Sequence, residues 1–169
     1  MTYIPSSVAN EAALNNLDLT ILYNTTSNVS ISSGSVIQWG SEYQLEGSVS
    51  YSVSSGVITL ASGYYYLLKV ALASYGPTVT SDTISYQLYD TGSSAYVGRR
   101  GHLCWQESTF VTGGDEYAIA LIDASSSSQT VECRVLATSS AGFVLDPTAS
   151  TSAQYIYGGH SRLEIFRWV

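Results

Sequence analysis

The chain has 169 residues, a net charge of −7 and a pI near 4.5, with hydrophobic residues at 45% and charged residues at only 11%. An average soluble protein carries about 25% charged residues, so Ser, Thr, Asn and Tyr must supply most of the polar surface here. One lysine and five dispersed arginines cannot make the clustered cationic surface that displaces counterions from a phosphate backbone, which excludes direct nucleic-acid binding as an expected function.

The length suits one domain that buries roughly 70% of the surface its unfolded chain would expose. The first residues, MTYIPSSVANEAALNNLDL, show no basic segment leading into an apolar run, so no secretory signal is visible. No run approaches about 18 consecutive apolar residues, so no membrane-spanning helix is expected. The expected setting is a cytosol, or a particle assembled there.

Residues 1–33 differ in pattern from the rest of the chain. Ala and Leu recur loosely over SSVANEAALNN, DLTILY has the makings of a short strand, and polar TTSNVSISSGS comes next as a linker. This segment reads as an N-terminal arm outside a sheet domain that covers 34–169. Asn24 and Asn28 head two glycosylation sequons, which read as chance matches in a Ser/Thr-rich chain.

From Val36 onward, short apolar segments alternate with turn signals. Val36–Trp39 and Val49–Val53 come first, then Val57–Leu60 and a long segment from Tyr64 to Ser74 closed by Gly76-Pro77. Thr83–Tyr89 places Ile84, Tyr86 and Leu88 on one side, and Asp90-Thr-Gly-Ser-Ser ends it. His102–Val111, Glu116–Ile122, Thr130–Leu136 and Arg162–Val169 complete the set, with Val131, Cys133 and Val135 directed inward. Strands at this spacing, without a helical period of useful length, predict an all-β antiparallel sandwich or jelly roll.

The Tyr64 strand is the centre of this pattern. Alternate residues of an extended chain share a face, so Tyr64, Tyr66, Leu68, Val70 and Leu72 point one way. Tyr65, Leu67, Lys69, Ala71 and Ala73 point the other. Both faces are largely apolar. One serves the domain core, and the other asks for a cover that a second copy of the chain can supply.

Four pieces, in this order, resemble the tumour necrosis factor and complement globular-head superfamily of trimeric jelly rolls. They are V-I-Q-W ending at Trp39, the Gly56–Leu67 passage GVITLASGYYYL, Gly114-Asp115 before an apolar strand, and a closing aromatic strand Leu163–Trp168. The resemblance covers residues 36–169. It implies that the Tyr64, Glu116 and last strands share an inner sheet facing a threefold axis, with Tyr65, Leu67, Tyr117, Ile119, Phe166 and Trp168 at the trimer interface. It also implies that the Thr83 strand separates the His102 and Thr130 strands. Two strand spacings, roughly 9.6 Å, exceed the roughly 7 Å Cα separation a disulfide tolerates, so Cys104 and Cys133 are expected as free, buried thiols.

Domains of this kind also occur in virions of tailed bacteriophages, as capsid decoration proteins and as fibre heads. The leading expectation is therefore a homotrimeric decoration protein that binds the major capsid protein, with Tyr3, Ile4, Leu14 and Leu17 of the arm along the capsid. A receptor- or glycan-binding fibre head is the alternative.

Reactive residues are few. His102 and Cys104 lie two apart and share a strand face, but Glu107 points to the other face, so no third group orients the base of a nucleophile pair. His102, Cys104, Cys133 and His160 match no zinc spacing. The expectation is no enzyme, no metal and no cofactor. Arg99-Arg100 reads either as a contact to an acidic capsid surface or as a solvated pair at a loop tip.

Overall fold

In the computed structural model, residues 18–24, 31–46, 49–72, 81–106, 116–138 and 161–168 are described. Ten strands run in chain order: β1 (Asp18–Tyr23), β2 (Ser41–Glu46), β3 (Tyr51–Ser54), β4 (Val57–Leu60), β5 (Tyr64–Ala71), β6 (Ser81–Asp90), β7 (Ala95–Gln106), β8 (Ala118–Ala124), β9 (Gln129–Thr138) and β10 (Arg162–Trp168). They form an inner sheet, β2-β1-β10-β5-β8, and an outer sheet, β7-β6-β9-β4-β3. A narrow seam between β7 and β8 joins the two, through Arg99 opposite Ile119 and a bridge from His102 to Glu116.

The pairing is nested. β6 pairs β7, β5 pairs β8, β4 pairs β9 and β1 pairs β10, all antiparallel. A chain folded once on itself and then rolled into two layers has this order, and it is a jelly roll. The core lies between the layers, built from alternate residues of each strand. Tyr66, Leu68 and Val70 of β5 and Leu163 and Ile165 of β10 are fully buried. They face Ile58 and Leu60 of β4, Ile84, Tyr86 and Leu88 of β6, and Val131, Cys133 and Val135 of β9.

Two features hold the layers together at the seam. Gly98 has φ +70°, and a Cβ there would lie 2.1 Å from the Ile119 carbonyl oxygen; one on Gly101 would lie 2.4 Å from the Tyr86 ring. The strands therefore approach more closely than any side chain permits. The Tyr86 hydroxyl then donates to the Glu116 carbonyl at 3.1 Å and receives the Leu72 amide at 3.4 Å. Burial pushes this phenol's pKa well above its ordinary value, so it stays protonated and available as a donor.

At the opposite end, Arg167 pairs with Asp18, donates to Ser50 Oγ at 3.4 Å and lies 4.2 Å from the Tyr64 ring centroid. Tyr66 donates from beneath to the Ala61 carbonyl at 3.0 Å, its pKa raised chiefly by burial.

Three expectations change. Residues 18–24 are not an arm: β1 lies inside the inner sheet, hydrogen-bonded to β10 on one side and β2 on the other. The boundary at residue 33 therefore does not separate arm from sheet, and Tyr3, Ile4, Leu14 and Leu17 lie outside the described residues. Val36–Trp39 is not a regular strand. Gly34 and Ile37 donate to Val135 and Cys133 at 2.8 and 2.9 Å, but only Val36 forms a bridge. Its apolar side chains are there for the core, with Ile37 and Trp39 buried. The seventh strand begins at Ala95 and not at His102.

Because Asp18 and Arg167 are both 14% exposed at the side chain, removing the carboxylate strands a nearly buried guanidinium. Asp18→Ala is expected to lower unfolding free energy by roughly 2–4 kcal/mol. The change is read from urea denaturation.

Candidate functional site: the outward face of the inner sheet

The register of the inner sheet aligns its outward residues in rows across the strands. One row is Leu19, Phe166, Leu67 and Leu121, drawn from β1, β10, β5 and β8. The next runs Trp168, Tyr65 and Asp123. Tyr65 and Trp168 stack with ring centroids 6.2 Å apart. Four neighbouring strands make this apolar band about 14 Å wide. Leu121 is 64% exposed and Tyr65 37%. Isolated exposed apolar residues need no explanation, but here Leu121 and Tyr65 adjoin half-buried Leu19, Leu67, Phe166 and Trp168 in one continuous band.

On the other side of the leucine row, chemistry changes within one pleat. Ile21, Glu164, Lys69 and Ile119 form the third row. Lys69 Nζ lies 3.3 Å from Glu164 Oε2, and Arg162 Nε donates to Glu164 Oε1 at 2.8 Å. Lys69 Nζ also sits 4.1 Å from the Tyr117 ring centroid. Burial works against the Arg162 charge, yet Glu164 and Tyr117 outweigh it and hold its pKa above the ordinary value. Glu164 thus serves two cations, and its side chain is only 12% exposed.

All six residues named from the sequence for a subunit contact, Tyr65, Leu67, Tyr117, Ile119, Phe166 and Trp168, lie on this one side of the sheet. Leu19 and Ile21 join them, although DLTILY on its own reads as part of an arm. Leu121 is the most exposed of the set. Its place is visible in the alternation of β8, two residues beyond Ile119.

The other sequence candidates do not converge. Arg99 and Arg100 stand within β7 and not at a loop tip. Arg99 forms an exposed pair with Glu116 at 3.6 Å, and Arg100 Nε donates to Gln87 Oε1 at 3.3 Å. On the outer sheet Arg134 pairs with Glu132 and covers the Tyr89 ring at 3.4 Å, while Tyr89 meets exposed Tyr96 edge-on. His102 is committed through its backbone amide to Glu116 at 2.9 Å. The Cys104 side chain, Glu107 and His160 lie outside the described residues. No group of three or more His, Cys, Asp or Glu with metal-binding geometry occurs among the described residues.

Cys133 is free and fully buried on β9, across from Leu88, whereas Cys104 stands across from Thr83 at the far end of the same central strand β6. Burial, reinforced by the Glu132 charge, pushes the Cys133 thiol far above its usual pKa.

No protein-family model matches the chain, and no curated protein matches it. Among solved structures, the chain is similar to the structure of Eiger TNF from S. frugiperda, at 11% identity and a TM-score of 0.44, over 91% of this chain and 94% of that one. A likeness at that score bears on neither family nor function. The jelly roll is established by the chain's own strand pairing.

A buried, protonated thiol is a poor nucleophile. Cys133 is expected to resist alkylation by iodoacetamide in the native protein at pH 8 and to react fully in denaturant, as read by peptide mass mapping. Native labelling at Cys133 would show that the β9 core opens.

Proposed function

We propose that this protein is a structural component of a virion, a homotrimer that assembles through the outward face of its inner sheet and decorates a tailed-bacteriophage capsid. The observation that carries the assembly reading is the apolar band Leu19–Phe166–Leu67–Leu121 with the Tyr65–Trp168 stack beside it. Obligate interfaces of this kind are apolar and bury about 2,000 Å² or more. Every residue in the band stands on a paired strand.

Support for the virion role is of a different kind. It comes from the resemblance over residues 36–169 and from a lysine-poor, Ser/Thr/Tyr-rich composition. A decoration protein works by mass action: whatever binds only the assembled shell stabilises it against disassembly. Residues 1–17 are the segment left for the capsid contact, since β1 belongs to the domain.

Sedimentation velocity is expected to show a trimer at micromolar concentration. Leu121→Asp places a charge in the band without touching the core and is expected to weaken association by roughly 2 kcal/mol or more, with the far-UV spectrum unchanged. A wild-type chain that stays monomeric removes the assembly reading. Cosedimentation with undecorated tailed-phage heads tests the rest. Recovery of the intact chain, lost on deletion of residues 1–17, supports the decoration role. Equal recovery of both removes residues 1–17 from the mechanism, and recovery of neither transfers the proposal to a fibre head.

A further inference from the structure

We infer that this protein sits end-on upon its capsid, with the end of the sandwich that holds Asp18 and Trp168 against the shell and the turns 61–63, 91–94 and 125–128 in the contact. The inference rests on the decoration reading above and names the surface of the domain that joins residues 1–17 there.

Strand register fixes which residues share that end. Asp18 stands opposite Arg167 and Trp168 opposite Tyr65, so the start of β1 and the finish of β10 lie together. Tyr64 stands opposite Ala124, and the Gly63 amide donates to the Ala124 carbonyl at 2.8 Å. The β4–β5 corner and the β8–β9 turn therefore belong to the same end. On the outer sheet Leu60 stands opposite Gln129, and the Thr91 amide donates to the Thr130 carbonyl at 2.9 Å, which adds the β6–β7 turn. The other end of the sandwich is marked by Ala71 opposite Arg162, Ser81 opposite Gln106, and Thr138.

The turns at the Asp18 end are short and tied to themselves. Asp90 Oδ1 accepts from the Gly92 amide at 2.8 Å, and Asp123 Oδ1 from the Ser125 amide at 2.9 Å. A surface ordered before contact gives up little freedom on binding. Its exposed side chains are small, among them Ser62, Ser93 and Ser126, so a broad partner surface can approach all the turns at once. Arg167 is taken by Asp18, whereas Asp90 and Asp123 pair with no cation among the described residues. The matching capsid surface therefore offers hydrogen-bond donors and positive charge.

The path of the chain selects this end over the other. Residues 1–17 run into β1 here, so with this end down they reach the shell directly. With the other end down, about 25 Å of chain, the length of eight-residue β5, must first pass along the domain. In the proposed trimer, cyclic symmetry points the same end of every copy in one direction. The N-terminal segments then start side by side at the shell, and each raises the effective concentration of the others.

The test is cosedimentation of the full chain with undecorated tailed-phage heads, with sedimentation velocity and far-UV circular dichroism to show unchanged assembly and fold. The double variant Ser62→Arg, Ser126→Arg adds bulk and positive charge at the proposed contact. It is expected to bind roughly 10-fold more weakly than the wild type or worse. Ala137→Arg, exposed towards the other end of the outer sheet, is expected to bind within about 2-fold of the wild type. Electron cryomicroscopy of decorated wild-type heads gives a second reading that needs no variant, with Ser126 expected at the shell and Thr138 facing away. Undiminished binding of the double variant, or the reverse orientation on the head, overturns the inference and leaves the decoration role intact. A wild type that does not sediment with heads removes instead the decoration reading on which the inference stands.

Discussion

A strand in the middle of a sheet has no free edge, only two faces, and in β5 both are largely apolar. That constraint organises the molecule. β10 and β8 take the edges of β5 by hydrogen bonding, and the outer sheet covers one face with Ile58, Ile84, Tyr86 and Leu88. The second face remains, and it is continuous with the outward residues of β1, β10 and β8. Filling a core and leaving a flat apolar surface are two results of the same alternation. A polar residue at Leu67 or Leu121 would have spared the surface at no cost to the core.

Much of this fold can be read from residue order. Val57–Leu60 is a strand with the bounds its pattern suggests. Ile84, Tyr86 and Leu88, and Val131, Cys133 and Val135, are buried as their alternation requires. What misleads is long-range pairing. DLTILY has strand-like residues, but its partner residues 162–167 lie far away in sequence, and nothing local distinguishes a central strand from a loose arm. The Asp18–Arg167 pair is hidden for the same reason. Ser41–Glu46 is an edge strand with acidic residues at both ends, a common device against edge-to-edge pairing, and its apolar signal is correspondingly weak.

The candidate site shows the same division. Which residues share the outward face of β5, β8 and β10 follows from a period of two, so the six sequence candidates fall together. Which of them stand abreast depends on register, and register is set by pairing across strands. The row of leucines and the ionic row beside it are therefore features of the folded sheet alone. Gly98 shows how a local irregularity defeats the pattern. The register of β6 and β7 shifts between Val97 and Gly101, and Arg99 and Arg100 fall inside that bulge, so two residues within a strand read as the tip of a loop.

Nested pairing has a further consequence, for the order of events during synthesis. β6 and β7 are neighbours in sequence and can close early, whereas β1 must wait for β10. Pairings between remote segments form slowly because the intervening chain must first give up its freedom. Until the ribosome has released Arg162–Trp168, one edge of β1 and one edge of β5 are both open, and β5 is among the stickiest stretches of the nascent polypeptide. The molecule is thus most prone to aggregate before β10 has emerged to pair with β1 and β5, and a chaperone acting on it has that interval in which to work.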